Sequence, residues 1–210
     1  MPGSMEMRQE KIFYSEAAFE GIARQVLCEY DEKLYFGVPQ AVPVEEIIEH
    51  RGVLLEYQYI RKDGRVLGKT IFEDGLDAVW DMEEQEYILF PVKAGTILID
   101  ASLCEDESKL GRLRFTCAHE LAHWLLHKDL FDRLPEDTDV ELMTEKCGLE
   151  VQANMLASSL LMPLSQIKKC YYRLFTDGIR ERLEIIEKMA ALFQVSCQAM
   201  RIRLEKHRLV

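Results

Sequence analysis

Leu113-Arg114-Phe115-Thr116-Cys117-Ala118-His119-Glu120-Leu121-Ala122-His123-Trp124-Leu125 is the stretch on which the reading of this chain turns. Leu113, Leu121, Trp124 and Leu125 give it the character of a buried helix, predicted over 109–128. Residues four apart on a helix share a face, so the imidazoles of His119 and His123 project side by side and can reach one ion. Glu120 stands next to them, within reach of a water at that ion. A His-acid-x-x-His string arises by chance about 0.02 times in a chain of this composition, so the motif carries information.

The sequence on either side of this helix differs in kind. Phe19, Ile22, Val26 and Tyr30 recur at helical spacing behind Ser15 and predict a helix over 15–30. Pro43 opens a short helix that Gly52 ends. The period then changes to two. Leu55, Tyr57 and Tyr59 alternate with polar residues, Lys62-Asp63-Gly64-Arg65 reads as a hairpin turn, and a second strand is predicted over 66–73. Short strands follow near 77–80, 87–90 and 96–100. Beyond the motif the pattern is helical over 149–162, 165–175, 179–193 and 197–207, with 129–148 acidic and irregular around Pro135. Strands followed by a run of helices predict an α+β fold, a small and mostly antiparallel sheet packed on a helical core.

Composition bounds the function. The chain has 210 residues, 48% hydrophobic, enough for one packed domain, or for one domain with a small lobe. No apolar run is long enough for a membrane span and no basic-then-apolar leader is visible, so a cytoplasmic protein with no membrane partner is expected. Met1 to Ser4, followed by Met5, reads as a remnant of cloning. Six scattered cysteines with no Cys-x-x-Cys pair read as reduced core thiols. The net charge of −11 argues against general nucleic-acid binding. It is unevenly spread: residues 1–164 carry a net of −16 and residues 165–210 a net of +5, which reads as a solvated helical surface first and as a mild hint of a local acidic partner second.

Two histidines do not complete a catalytic metal site, which ordinarily has three protein ligands and a water. Glu150, at the start of the helix 149–162, is a candidate third ligand, and spacing alone leaves Cys147, Glu141 and Glu145 as alternatives. Asn154, four residues after Glu150, can accept the free ring N–H of a ligand histidine.

The run Arg114 to His123, with Leu126-His127 after it, resembles the zinc helix of the ImmA/IrrE metallopeptidases. Glu150-Val151-Gln152-Ala153-Asn154, running on to Leu160-Leu161-Met162-Pro163, resembles that family's second signature. Softer likenesses extend over 40–205. The resemblance implies Zn2+ held by His119, His123 and Glu150, with Glu120 as catalytic base accepting a proton from the activated water and passing it to the leaving amine. It also implies a zincin-like core over 41–178 and a helix-turn-helix-like pair over 179–210; 1–40 reads from its own pattern as an N-terminal helical extension, and its first 35 residues match no pattern of the family. The implied substrate is a transcriptional repressor, often of helix-turn-helix type, cut to induce genes of a mobile element or a stress response.

An oxyanion donor remains to be assigned. His127 is one candidate, with a role in packing or capping the helix end as the other reading, and Tyr171 and Tyr172 are further candidates that also fit core spacing. A different function class rests on Met189 to Leu204, where Val195-Ser196 would be the turn of a helix-turn-helix and Arg201, Arg203 and Lys206 its basic face. In that alternative the protein is a DNA- or protein-binding regulator and the zinc is structural or vestigial. Such helical pairs are often plain packing units and the chain is acidic overall, so DNA contact is expected to be possible but secondary. Glu120 separates the two, because a structural site needs no carboxylate beside the water.

Overall fold

The computed structural model describes residues 14–132 and 148–210. The readings of Met1 to Ser4 and of Glu141, Glu145 and Cys147 lie outside the described residues.

Ser15 caps α1 (Glu16–Asp31) by accepting from the Ala18 N–H, and Phe19, Ala23, Val26 and Leu27 form the buried face. The short helices α2 (Lys33–Phe36) and α3 (Val44–His50) follow. Then come β1 (Leu54–Gln58), β2 (Gly68–Ile71), β3 (Gly75–Asp81), β4 (Glu86–Val92) and β5 (Thr96–Asp100). The helical half comprises α4 (Leu110–Phe131), α5 (Leu149–Leu161), α6 (Leu164–Thr176), α7 (Arg182–Phe193) and α8 (Cys197–Lys206). The chain is α+β, as its pattern predicts.

The predicted hairpin is the main departure. β1 and β2 do not pair with each other. β5 lies between them, parallel to β1 and antiparallel to β2, while β3 and β4 form a separate antiparallel ribbon. Lys62 to Arg65 is a turn, but it starts a connection that passes over the end of β5. The reason lies in β5 itself. All five of its residues are buried, so it belongs in the middle of a sheet, with ladder partners on both edges. β1 and β2 carry exposed positions and take the edges.

Asp100 closes the end of β5 by accepting from the Ile60 N–H at 2.9 Å. One hydrophobic cluster joins α1, α3, β5, α4 and α5 to α7 and α8, from Phe19 through Leu121 and Leu156 to Met189 and Leu204. A smaller cluster of Ile60, Ile71, Val92 and Leu98 lies on the other face of the sheet. α4 is buried on several sides, with polar Arg114, Glu120, His123 and His127 among its buried residues beside Leu113, Cys117, Ala118, Leu121 and Ala122. It packs against α5, α3, β2 and β5. Arg114, buried in its first half, is tied to Val42 and Gln194 by hydrogen bonds to their carbonyl oxygens, which locks α4 to the α3 entrance and the α7–α8 turn.

The thiols divide. Cys117 and Cys170 are buried as expected of core residues, but Cys104 and Cys197 are exposed; the five described cysteines are all free.

The basic face expected of the C-terminal pair is also altered. Arg203 is buried, donates to the Met162 carbonyl at 3.1 Å and pairs with Glu20 of α1. It holds α8 onto the body and is not available to a phosphate. Arg201 and Lys206 remain exposed.

Candidate metal centre

Three elements meet at the centre. α4 brings His119, Glu120 and His123, the first turn of α5 brings Glu150 and then Asn154, and edge strand β2 closes one side. The cleft between them holds about 550 Å³.

His119 Nε2 and His123 Nε2 are 3.1 Å apart. Glu150 Oε2 is 3.1 Å from the first and Oε1 is 3.2 Å from the second. Two ligand atoms that each sit about 2.05 Å from an ion at the tetrahedral angle are about 3.3 Å apart, so this triangle has the size a four-coordinate ion needs. Among the described residues, His119, His123 and Glu150 form the group whose donor atoms converge in this way.

The protons point to the same conclusion. Asn154 presents Oδ1 to His119 Nδ1 at 3.1 Å, and an amide oxygen can only accept, so Nδ1 carries the proton and Nε2 offers a lone pair. His127 stands behind His123, with the two Nδ1 atoms 3.1 Å apart and its own Nε2 3.4 Å from Gln152 Oε1. His127 therefore donates through Nε2 and accepts at Nδ1, and His123 donates its Nδ1 proton and offers Nε2. Three lone-pair donors then face one another across about 3 Å, an arrangement that calls for a cation between them. The residues fit a metal.

When a proton and not a cation sits at Nε2, the same contacts become hydrogen bonds to Glu150 and set the charge states. Glu150 sits well below the ordinary carboxylate range, chiefly through its hydrogen bond with His119 and then that with His123. Its place in the first turn of α5 adds the favourable end of the helix dipole. Burial pulls the His119 pKa down, but the Glu150 hydrogen bond and the Glu120 and Glu150 charges outweigh it and hold the pKa above the usual value. Burial, with His123 alongside, pushes His127 down to about 4, which keeps it neutral.

Glu120 is buried on the cleft wall and apart from the triangle. Burial raises its pKa against the opposing charge of His119 and the Thr70 hydrogen bond. Thr70 of β2 has its hydroxyl 2.7 Å from Glu120 Oε2. Gly68, two residues earlier on the strand, approaches so closely that a Cβ there would stand 2.7 Å from Glu120 Oε1. Neither residue was found from the sequence. A glycine inside a strand pattern is a signal of close backbone approach, and Gly68 carries that signal; Thr70 carries none.

The oxyanion candidates fare differently. His127 is buried behind His123, off the cleft wall, and Tyr171 and Tyr172 lie on α6, away from the cleft, with Tyr172 exposed. The cations that line the cleft are Arg65 and Lys69, the latter paired with Asp77 at 2.5 Å.

No helix among the described residues is long and apolar enough to cross a membrane. No curated protein matches the chain. Residues 84–205, more than half of it and the whole of the stretch from β4 through the two signatures to α8, match the model of the M78 peptidases described as the IrrE N-terminal-like domain. With the converging His119, His123 and Glu150 inside that match, the chain belongs to the M78 peptidase family and has a metallopeptidase-like function.

Proposed function

We propose that the protein is a zinc-dependent endopeptidase in which His119, His123 and Glu150 hold the ion, Glu120 is the general base and the substrate is a regulatory protein, in its finer form a helix-turn-helix transcriptional repressor. The carrying observation is the convergence of three lone-pair donors with a separate buried carboxylate, Glu120, beside them on the same cleft. Two imidazoles and a carboxylate suit zinc, whereas calcium and magnesium favour all-oxygen shells. The repressor rests on the family alone, and so does the assignment of 41–178 as the catalytic stretch.

When bound, the ion would supply Lewis acidity to a water and to a peptide carbonyl. The rest is the work of this chain's residues. Thr70 fixes Glu120 Oε2, leaving Oε1 to take a proton from the water and return it to the leaving amine nitrogen. Gly68 keeps the space beside Oε1 clear. Asn154 and His127 hold the two imidazoles in the tautomers that direct Nε2 at the centre. β2 is an edge strand, and its outer edge can take an extended peptide by main-chain hydrogen bonds, which suits cleavage inside a chain.

The test is incubation of the zinc-loaded protein with a helix-turn-helix repressor, chosen from the neighbouring genes if one is encoded there, read by mass spectrometry, with Glu120→Gln in parallel. Cleavage by the wild type alone supports the reading. Equal cleavage by a fully loaded Glu120→Gln protein removes the base assignment, and an uncut repressor removes that substrate.

A further inference from the structure

A second concavity of about 770 Å³ leaves the metal cleft along the N-terminal half of α4. Phe115 and Asn154 line both, so the two adjoin. Its apolar surface comes from three helices: Phe115 of α4, Val151 and Met155 of α5, and Ala199 and Ile202 of α8. Val151 and Ile202 are 61% and 55% exposed, large aliphatic side chains held in water on facing helices.

The charge lining the groove is equally uneven. Arg112 and Lys206 lie on it, and no acidic side chain does among the described residues, in a chain with 37 acidic and 26 basic residues. Lys206 has only a loose pair with Glu16 at 3.9 Å, and Arg112 has no acidic partner among the described residues. An apolar floor between two cations matches a peptide that carries both aliphatic and acidic side chains. It matches a DNA duplex poorly, since phosphates would meet two isolated cations on an acidic body.

The length of the groove sets a spacing. Arg112 precedes His119 by about 10 Å along the helix axis, and an extended peptide advances about 3.3 Å per residue.

Resting on the peptidase reading of the adjacent cleft, we propose that this groove is a specificity subsite for the substrate segment beside the scissile bond. Aliphatic side chains of that segment pack against Phe115, Met155 and Ile202. An acidic side chain about three to four residues from the bond sits at Arg112, beside the N-terminus of α8, and Lys206 at the other end of α8 takes an acidic side chain further along the segment. The basic C-terminal stretch thus serves peptide recognition through Lys206.

The test measures binding apart from turnover. Metal-loaded full-length Glu120→Gln protein is titrated into three short fluorescein-labelled peptides and followed by anisotropy. One peptide carries leucines and an aspartate at the stated spacing, one has lysine in place of the aspartate, and one has serines in place of the leucines. The first should bind at least about tenfold more tightly than the others. Adding Arg112→Glu should remove that preference and favour the lysine peptide, whereas Arg112→Lys should retain it. Ile202→Asp should weaken the first peptide by about tenfold or more. Both positions are exposed, so these variants should fold. Equal binding of all three peptides overturns the proposal, as do unchanged affinities in Arg112→Glu and Ile202→Asp or displacement of the peptide by a short DNA duplex at physiological salt. A wild-type arm separates the two readings. Cleavage without groove-dependent selectivity overturns the subsite and leaves the peptidase. Selective binding without any cleavage overturns the peptidase reading and supports the groove as a recognition site.

Discussion

The metal centre and the C-terminal helical pair were each legible as a motif, and the structure treats them differently. At the centre, His119 and His123 stand where the spacing puts them, 3.1 Å apart at Nε2. In the pair, the helices and the turn lie where expected, but Arg203, one of three residues assigned to a basic face, is buried against Glu20. The difference is one of range. An i, i+4 relation is enforced by the helix alone. Whether a basic residue faces water depends on what packs against its helix, and α1, some 180 residues earlier in the chain, is what packs there.

The comparison can be broken most sharply at Glu120. Glu120→Gln keeps the shape of the side chain but cannot take a proton at neutral pH. Cleavage should fall by roughly 10²–10⁴-fold while metal content by elemental analysis stays near that of the wild type. Loss of the metal together with activity would make Glu120 part of the binding site instead.

On the side of the helical pair, Arg203→Met removes a buried cation and leaves half-buried Glu20 with the Leu164 N–H but without its guanidinium. Breaking a buried pair from one side costs about 3–5 kcal/mol, and the half-buried Glu20 with its remaining donor puts the expected cost at the lower end, about 3 kcal/mol, read as a lowered midpoint in urea unfolding. If Arg203 serves DNA and not the fold, stability will hardly move and duplex affinity will drop.

Asn154→Leu tests whether the tautomer of His119 matters. Without its acceptor, metal affinity in a chelator competition should weaken about 10–100-fold, with the fold intact because Asn154 is exposed. An unchanged affinity would mean that the Asn154 contact orients nothing.

The smallest effect is expected at Arg201, the exposed counterpart of Arg203. Arg201→Ala should change stability by no more than about 0.5 kcal/mol. Any duplex binding of the wild type should be weak and steeply lost with salt. Tight, sequence-specific binding at physiological salt that Arg201→Ala abolishes would make the C-terminal pair a genuine DNA reader and reverse the comparison.

What the sequence determined by itself is what local periodicity and stereochemistry control. The spans of α1, α4, α5, α6, α7 and α8 follow from apolar spacing, caps and prolines, and the His119–His123 pair follows from the helical repeat. The α+β class follows from strands preceding helices. Tertiary structure alone decided the rest. β5 displaced β2 from the side of β1, because ladder partners are chosen by burial across the whole sheet and a turn signal is local. It brought Gly68 and Thr70 onto Glu120, and Glu150 and Asn154 onto the histidines, across chain separations at which sequence spacing no longer constrains distance. It turned Arg203 into the core, since whether a side chain on a helix meets water or a partner is settled only once the neighbouring helix is in place.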